Sequence, residues 1–198
     1  MLVSRIWMPV VAGLFICSAP FRARWADARP SASTSSEETR PVVHPPQVLR
    51  LLGLIDQFVD KTQLVKAGAD ASGDALIRIV DDTNLAAYTR IRAAAYLGAF
   101  DTKAIRARLQ QVVFDRAMEP LEVRIQAMRS MTLLEGRGAS NILAVLLADE
   151  QPEVRAGAAR LLGQLGETEI LRKRLAGNLE EDAYVRSVLV SASNRPRP

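Results

Sequence analysis

The sequence predicts an all-α fold of repeated helix pairs, and three observations carry that expectation. Apolar and small residues recur at helical spacing, as in Val154, Ala158, Leu161, Leu162 and Leu165. The same segment returns in register along the chain, its arginines falling at Arg90, Arg124, Arg155 and Arg186, at intervals of 34, 31 and 31 residues. No run alternates with period two for long enough to argue for a sheet.

The first element is a leader. Arg5 and the terminal amine precede an apolar run from Ile6 to Ala19, interrupted by Pro9. Fourteen residues are too few to span a hydrocarbon core of about 30 Å as a helix, and a run of this length fits a secretory signal peptide over residues 1–28. Ala26-Asp27-Ala28 is the small-x-small site, so cleavage is expected after Ala28, giving a periplasmic or secreted protein. The alternative is an uncleaved anchor, the one case in which a membrane is an expected partner. Cys17 does not read as a lipidation site, because Ile16 stands where a small residue should precede it.

Residues 29–45 hold Ser31 to Ser36, Pro41, Pro45 and Pro46 follows, a composition that buries too little to offset its ordering entropy; a disordered linker is expected. A divergent helix pair at about 46–82 comes next, with Val48, Leu51, Leu52, Ile55 and Phe58 and then Leu76, Ile77 and Val80 as its apolar positions. The repeated units follow. In each, a first helix carrying the arginine is expected to stop at glycine (Gly98; Gly136 and Gly138; Gly163 and Gly166), which adopts the left-handed conformation without steric cost. A second helix follows, with Ile105, Leu109, Val112 and Val113 in one unit and Ile142, Leu143, Leu146 and Leu147 in the next. Acidic turns connect the units, and Pro120 and Pro152 suit helix starts. Residues 194–198 are expected to be a disordered tail.

The Val-Arg-x-x-Ala core (Val154 to Ala158 and Val123 to Ala127), the fourth copy that begins at Tyr184-Val185-Arg186, the Leu162-Gly163-Gln164-Leu165-Gly166 turn and the acidic turns resemble HEAT repeats. The period looks most like the short form known from phycobilisome lyases and bacterial scaffold proteins. The likeness covers about residues 84–193 and is weakest at 118–148, where Thr132 occupies the glycine position. It implies a right-handed α-solenoid of about four units over residues 46–193. It also implies a structural ladder in which Arg90, Arg124, Arg155 and Arg186 bond turn carboxylates, with Asp82, Asp115 and Asp149 as the expected partners.

Composition narrows the function. The chain carries 26 Lys and Arg against 22 Asp and Glu. Without residues 1–28 the balance falls to 23 against 21, so a charge argument for nucleic acid fails. The same cut removes Cys17 and both tryptophans, and with them any disulfide or thiolate chemistry. His44 is the one histidine and lies in the linker, so no triad and no ordinary metal site can be assembled, and no cofactor is expected. Asp70-Ala71-Ser72-Gly73-Asp74 reads as a turn capping a helix at Asp74 rather than as a calcium loop, since the terminal Glu is missing.

The feature left over is basic. Arg106 and Arg108 in one second helix, and Arg172, Lys173 and Arg174 in another, are candidates for a positive patch on a concave face, with Ser140 and Asn141 as neutral groups between them. Such a patch suits an acidic protein segment or another anionic surface. The expected function is that of an exported, non-enzymatic protein-interaction scaffold of the bacterial cell envelope. The alternatives are a lyase-like enzyme or enzyme accessory subunit, as the repeat type implies, and a HEAT-like DNA-binding protein.

Overall fold

The computed structural model describes residues 43–54 and 57–195. The expected leader, the linker up to residue 42, Ile55 and the end of the expected tail lie outside the described residues. Among the described residues every regular element is helical: α1 (Pro46–Leu52), α2 (Lys61–Lys66), α3 (Asp74–Asp81), α4 (Ala87–Leu97), α5 (Lys103–Phe114), α6 (Leu121–Glu135), α7 (Ser140–Leu146), α8 (Pro152–Gln164), α9 (Thr168–Ala176) and α10 (Ala183–Ser193). None of these is long and apolar enough to cross a membrane.

Local chemistry explains the starts. Asp60 and Gln63 form a reciprocal capping box on α2, Thr102 accepts the Ile105 N–H at 3.3 Å on α5, and Asp182 accepts the Val185 N–H at 2.9 Å on α10. Pro152 opens α8, where its missing N–H has no intrahelical partner to lose. Asp70 accepts the Asp74 N–H at 2.7 Å and caps α3, as the turn reading of that segment expected.

The four arginine-bearing helices α4, α6, α8 and α10 pack side by side in chain order. The intervening helices cover them: α3 packs on α4, α5 on α6, α7 on α8 and α9 on α10. One continuous core fills the space between, from Leu76 and Ile79 through Leu97, Ile105, Met131 and Leu143 to Leu162 and Leu189, all buried. Burying such a side chain contributes roughly 1.5–3 kcal/mol.

Three expectations need correction. Phe58 does not belong to a core helix: the helix ends at Gly53, and Phe58 lies in irregular chain with 88% of its surface exposed. His44 is not part of a free linker. Its Nε2 lies 2.8 Å from Asp82 Oδ2 and its side chain is buried, so the residues just before α1 join the fold. Gly98 and Gly163 do not end helices by turning left-handed. Gly98 has φ −62° and Gly163 lies inside α8, whereas the positive φ angles fall at Gly136 (54°) and Gly166 (77°).

What Gly98 and Gly163 do is admit a neighbouring backbone. A Cβ on Gly98 would lie 3.3 Å from the Ser130 Cα of α6, and one on Gly163 would lie 2.9 Å from both the Cβ and the carbonyl oxygen of Ala192 of α10. The Ser130 hydroxyl donates across the first of these contacts to the Ala94 carbonyl at 2.8 Å. Both glycines sit eight residues after the repeated arginine.

Candidate functional site

The repeated arginines stitch each helix of this layer to the start of the next. Arg90 donates Nε to the Val80 carbonyl at 2.7 Å and NH2 to Glu119 at 2.5 Å. Arg124 donates to the Val113 carbonyl at 3.0 Å, to Gln151 at 2.6 Å and to Asp149 at 2.7 Å. Arg155 grips Glu180 with two bonds of 2.8 and 2.9 Å and also reaches the Asp149 and Glu150 carbonyls. Arg186, last in the series, donates to the Glu180 carbonyl at 2.6 Å. Each guanidinium thus satisfies carbonyls left open before its own helix, and the first three also reach a carboxylate before the next helix.

The acids differ from those expected. Asp149 belongs to the series, but as the partner of Arg124. Asp82 accepts from His44, and Asp115 accepts the Met118 N–H at 2.9 Å, so neither is a rung. Glu119 and Glu180 are, and sequence reasoning missed them. The signal was a spacing: Glu119, Asp149 and Glu180 precede the next repeated arginine by five or six residues, whereas Asp82 and Asp115 stand eight and nine away.

Burial and partners set the charges. Burial raises the Asp149 carboxyl, but bonds from Arg124 and the Gln151 N–H outweigh it and hold the pKa below the usual range. The same balance lowers Glu180 through Arg155 and the Asp182 N–H, while the Glu180 hydrogen bond raises Arg155. At Glu119 burial dominates and pushes the carboxyl up, against the pull of Arg90 and Arg108. The bond from His44 lowers Asp82.

The expected basic patch is largely neutralised. Arg106 bonds Asp101 at 2.7 Å, and Arg108 bonds Asp81 at 2.7 Å and Glu119 at 3.2 Å, which makes it an accessory of the ladder. Arg172 pairs with Glu169 at 2.6 Å, and Arg174 lies 3.8 Å from Glu180. Ser140 is buried; Asn141 and Lys173 are exposed. The two basic groups also sit on helices with different partners, α5 on α6 and α9 on α10.

The opposite side of the arginine-bearing layer is different. Two grooves flank α6 and meet at Leu133, whose side chain is 75% exposed. The larger, of about 790 Å³, runs between α6 and α8 and is lined by Ile125, Arg129, Thr132, Gly157, Arg160 and Leu161 among others, with Tyr184 at its far wall. The second, of about 570 Å³, lies between α4 and α6 and is lined by Phe58, Lys61, Tyr88, Arg92, Tyr96 and Gln126. All three tyrosines of the chain stand on this face.

Helical register explains the grouping. Tyr88 and Tyr184 stand two residues before the repeated arginine of their helices, Arg129 and Arg160 five after it, and Leu133 nine after it. These offsets fall on one stripe of a helix, turned away from the ladder.

The guanidiniums here are held by aromatic groups. Arg92 lies 5.8 Å from the Tyr88 ring and 5.4 Å from the Tyr96 ring, donating to both hydroxyls. Arg160 stacks 5.5 Å from the Tyr184 ring and bonds its hydroxyl. Arg129 bonds only the Gln126 amide. Among the described residues no carboxylate lies within ion-pair distance of Arg92, Arg129 or Arg160.

At the larger groove two positions depart from the other seams: Thr132, and Leu161, which stands six residues after its arginine where α6 and α10 have Ser130 and Ala192. Thr132 stands eight residues after Arg124, at the position that Gly98 and Gly163 hold in their helices. Its side chain is buried and its hydroxyl donates to the Met128 carbonyl of its own helix. A backbone cannot come as close over a threonine as over a glycine. At this seam side chains make the contact instead, the Met128 methyl lying over Gly157.

Among the described residues no group of three or more His, Cys, Asp or Glu side chains is placed to hold a metal ion. No family model matches the chain, and neither a curated protein nor a solved structure does.

Proposed function

We propose that the protein is an exported, non-enzymatic interaction module of the bacterial cell envelope that binds an extended polypeptide along the tyrosine-bearing face of α4, α6, α8 and α10. On this reading residues 46–193 form a right-handed α-solenoid of short HEAT-type helix pairs, and residues 1–28 are a signal peptide removed after Ala28. The observation that carries the binding face is the pair of grooves meeting at Leu133, where exposed aromatic and apolar surface is continuous across three helices. Tyrosine and arginine are the side chains that most often anchor interfaces. The arginine ladder and the repeat period support the solenoid reading, and the basic, apolar and small-residue order of the leader supports export.

Two measurements test this reading. Random extended peptides displayed on phage are panned on the full chain and counter-screened on two variants. Binders that survive Val145→Glu, which alters exposed apolar surface on α7, but are lost on Leu133→Glu support the face. Binders insensitive to Leu133→Glu contradict it. Intact mass of the native protein in fractionated cells tests export: a species beginning at Arg29 in the periplasmic or secreted fraction is expected, and a full-length cytosolic species contradicts it.

A further inference from the structure

Resting on that reading, we propose that the segment this face accepts is acidic and extended, its carboxylates about three residues apart, each meeting a guanidinium on a successive helix. Three observations converge. The basic groups Arg92, Arg129 and Arg160 lie on α4, α6 and α8 in turn. Each lines a groove, and among the described residues none is paired with a carboxylate, whereas Arg106, Arg108, Arg172 and Arg174 on the second helices all are. Lys61 adds a fourth cation at one end; Asp60 and Glu153 are the acids lining the same grooves, so the lining remains positive.

The guanidiniums are also prepared for the task. Stacking on Tyr88, Tyr96 and Tyr184 fixes the planes of Arg92 and Arg160; the Tyr184 bond leaves most N–H donors of Arg160 for a ligand, while Arg92, whose NH2 also donates to the Gln57 carbonyl, keeps one donor on NH1. A preorganised fork loses less entropy on taking a carboxylate than a free side chain does.

Spacing fixes the form of the ligand. Helices packed side by side lie about 8–10 Å apart. A polyproline II segment advances about 3.1 Å per residue and returns to the same face every third residue, after about 9 Å. Carboxylates three residues apart on such a segment therefore fall on successive helices. Between them, small apolar side chains would lie against Leu133 and Ile125, and the aromatic lining of the α4–α6 groove, Phe58, Tyr88 and Tyr96, suits a preformed polyproline II chain.

The test uses the full chain and fluorescein-labelled dodecapeptides of the repeats Glu-Pro-Pro, Lys-Pro-Pro and Gln-Pro-Pro, read by fluorescence anisotropy. The acidic repeat is expected to bind saturably and at least tenfold more tightly than either of the others, and to weaken as salt rises. Arg129→Glu with Arg160→Glu should weaken it at least tenfold, and Arg129→Gln with Arg160→Gln should do so by a smaller factor; circular dichroism checks that helicity is kept. Arg172→Glu with Lys173→Glu should leave it within twofold.

Equal binding of the three repeats, absence of acidic-repeat binding, or loss of binding only in the Arg172→Glu, Lys173→Glu variant overturns the proposal. Tight binding of Lys-Pro-Pro or Gln-Pro-Pro that Leu133→Glu abolishes overturns the acidic specificity but keeps the binding face. Absence of any Leu133-sensitive ligand, in this experiment and in panning, removes both.

Discussion

Three seams join the helices α4, α6, α8 and α10, and they are not closed in the same way. At α4–α6 and α8–α10 a guanidinium rung holds the helices near one end, and a glycine eight residues on, about 12 Å up the axis, lets the backbones meet. At α6–α8 the rung is present, Arg124 to Asp149 and Gln151, but Thr132 takes the glycine's place. That seam is pinned at one end and open at the other, and the larger groove is the opening. The α4–α6 seam carries the smaller groove, so a close backbone contact through Gly98 and a groove on the tyrosine-bearing face coexist there.

The open seam should depend most on its rung. Arg124→Met leaves Asp149 buried without its main partner, and a loss of roughly 3–5 kcal/mol in unfolding free energy is expected from urea titration. Arg155→Met should cost less, because the Arg155 side chain keeps 13% exposure and its seam retains Gly163. Equal losses would argue that the two seams are held alike.

Importing the open-seam residue into a closed seam is the next test. Gly163→Thr places a Cβ where Ala192 already stands, and overpacking of this kind costs about 1–3 kcal/mol. The reverse change, Thr132→Gly, should cost only about 0.3 kcal/mol through helix propensity, because threonine is itself a poor helix former. It should also weaken peptide binding as the groove narrows, read by the same urea titration and by anisotropy.

Acid sharpens the contrast between rungs. Asp149 and Glu180 are held below their ordinary values of 3.8 and 4.5. The stability they contribute is therefore present above those values and is lost as pH falls through the lowered pKa values. Glu119 is raised, so its contribution has the opposite sign and favours the folded state as it protonates. Unfolding free energy measured from pH 5 downward should fall, and Arg124→Met should flatten the fall by removing the Asp149 share. An unchanged slope in that variant would contradict the assignment of Asp149 to Arg124. A small effect is also expected at Lys173→Glu, an exposed site, where stability should shift by no more than about 0.5 kcal/mol.

Much of the fold could be read from the residues, because helical periodicity and a register of 31 to 34 residues are local signals. The ladder arginines were legible for the same reason. Their acids were not, since the turn before each arginine is its nearest source of acids, whereas the fold brings to each guanidinium the turn before the next helix, with Glu119, Asp149 and Glu180. Phe58 misled because its spacing of three from Ile55 and seven from Leu51 suits a helix whether or not the helix continues past Gly53. The glycines misled in part: α4 does stop at Gly98 but Gly163 lies inside α8, and both also admit a neighbour far along the sequence.

The candidate face was the least legible part. Clustered arginines in α5 and α9 draw attention in a sequence, yet their acids, several of them distant in the chain, neutralise them in the fold. Arg92, Arg129 and Arg160 are dispersed in the sequence, and only the stacking of α4, α6 and α8 gathers them. Thr132 was visible as a departure from the repeat, but its consequence depends on how closely two backbones approach.

The most direct measurement is a chemical-shift titration of the 15N-labelled full chain with the Glu-Pro-Pro dodecapeptide. Perturbed amides should cluster at Arg129, Leu133, Gly157 and Arg160 and extend to Tyr88 and Arg92, with α9 unmoved. Perturbations centred on Arg172 and Lys173, or none at saturating peptide, would contradict the account.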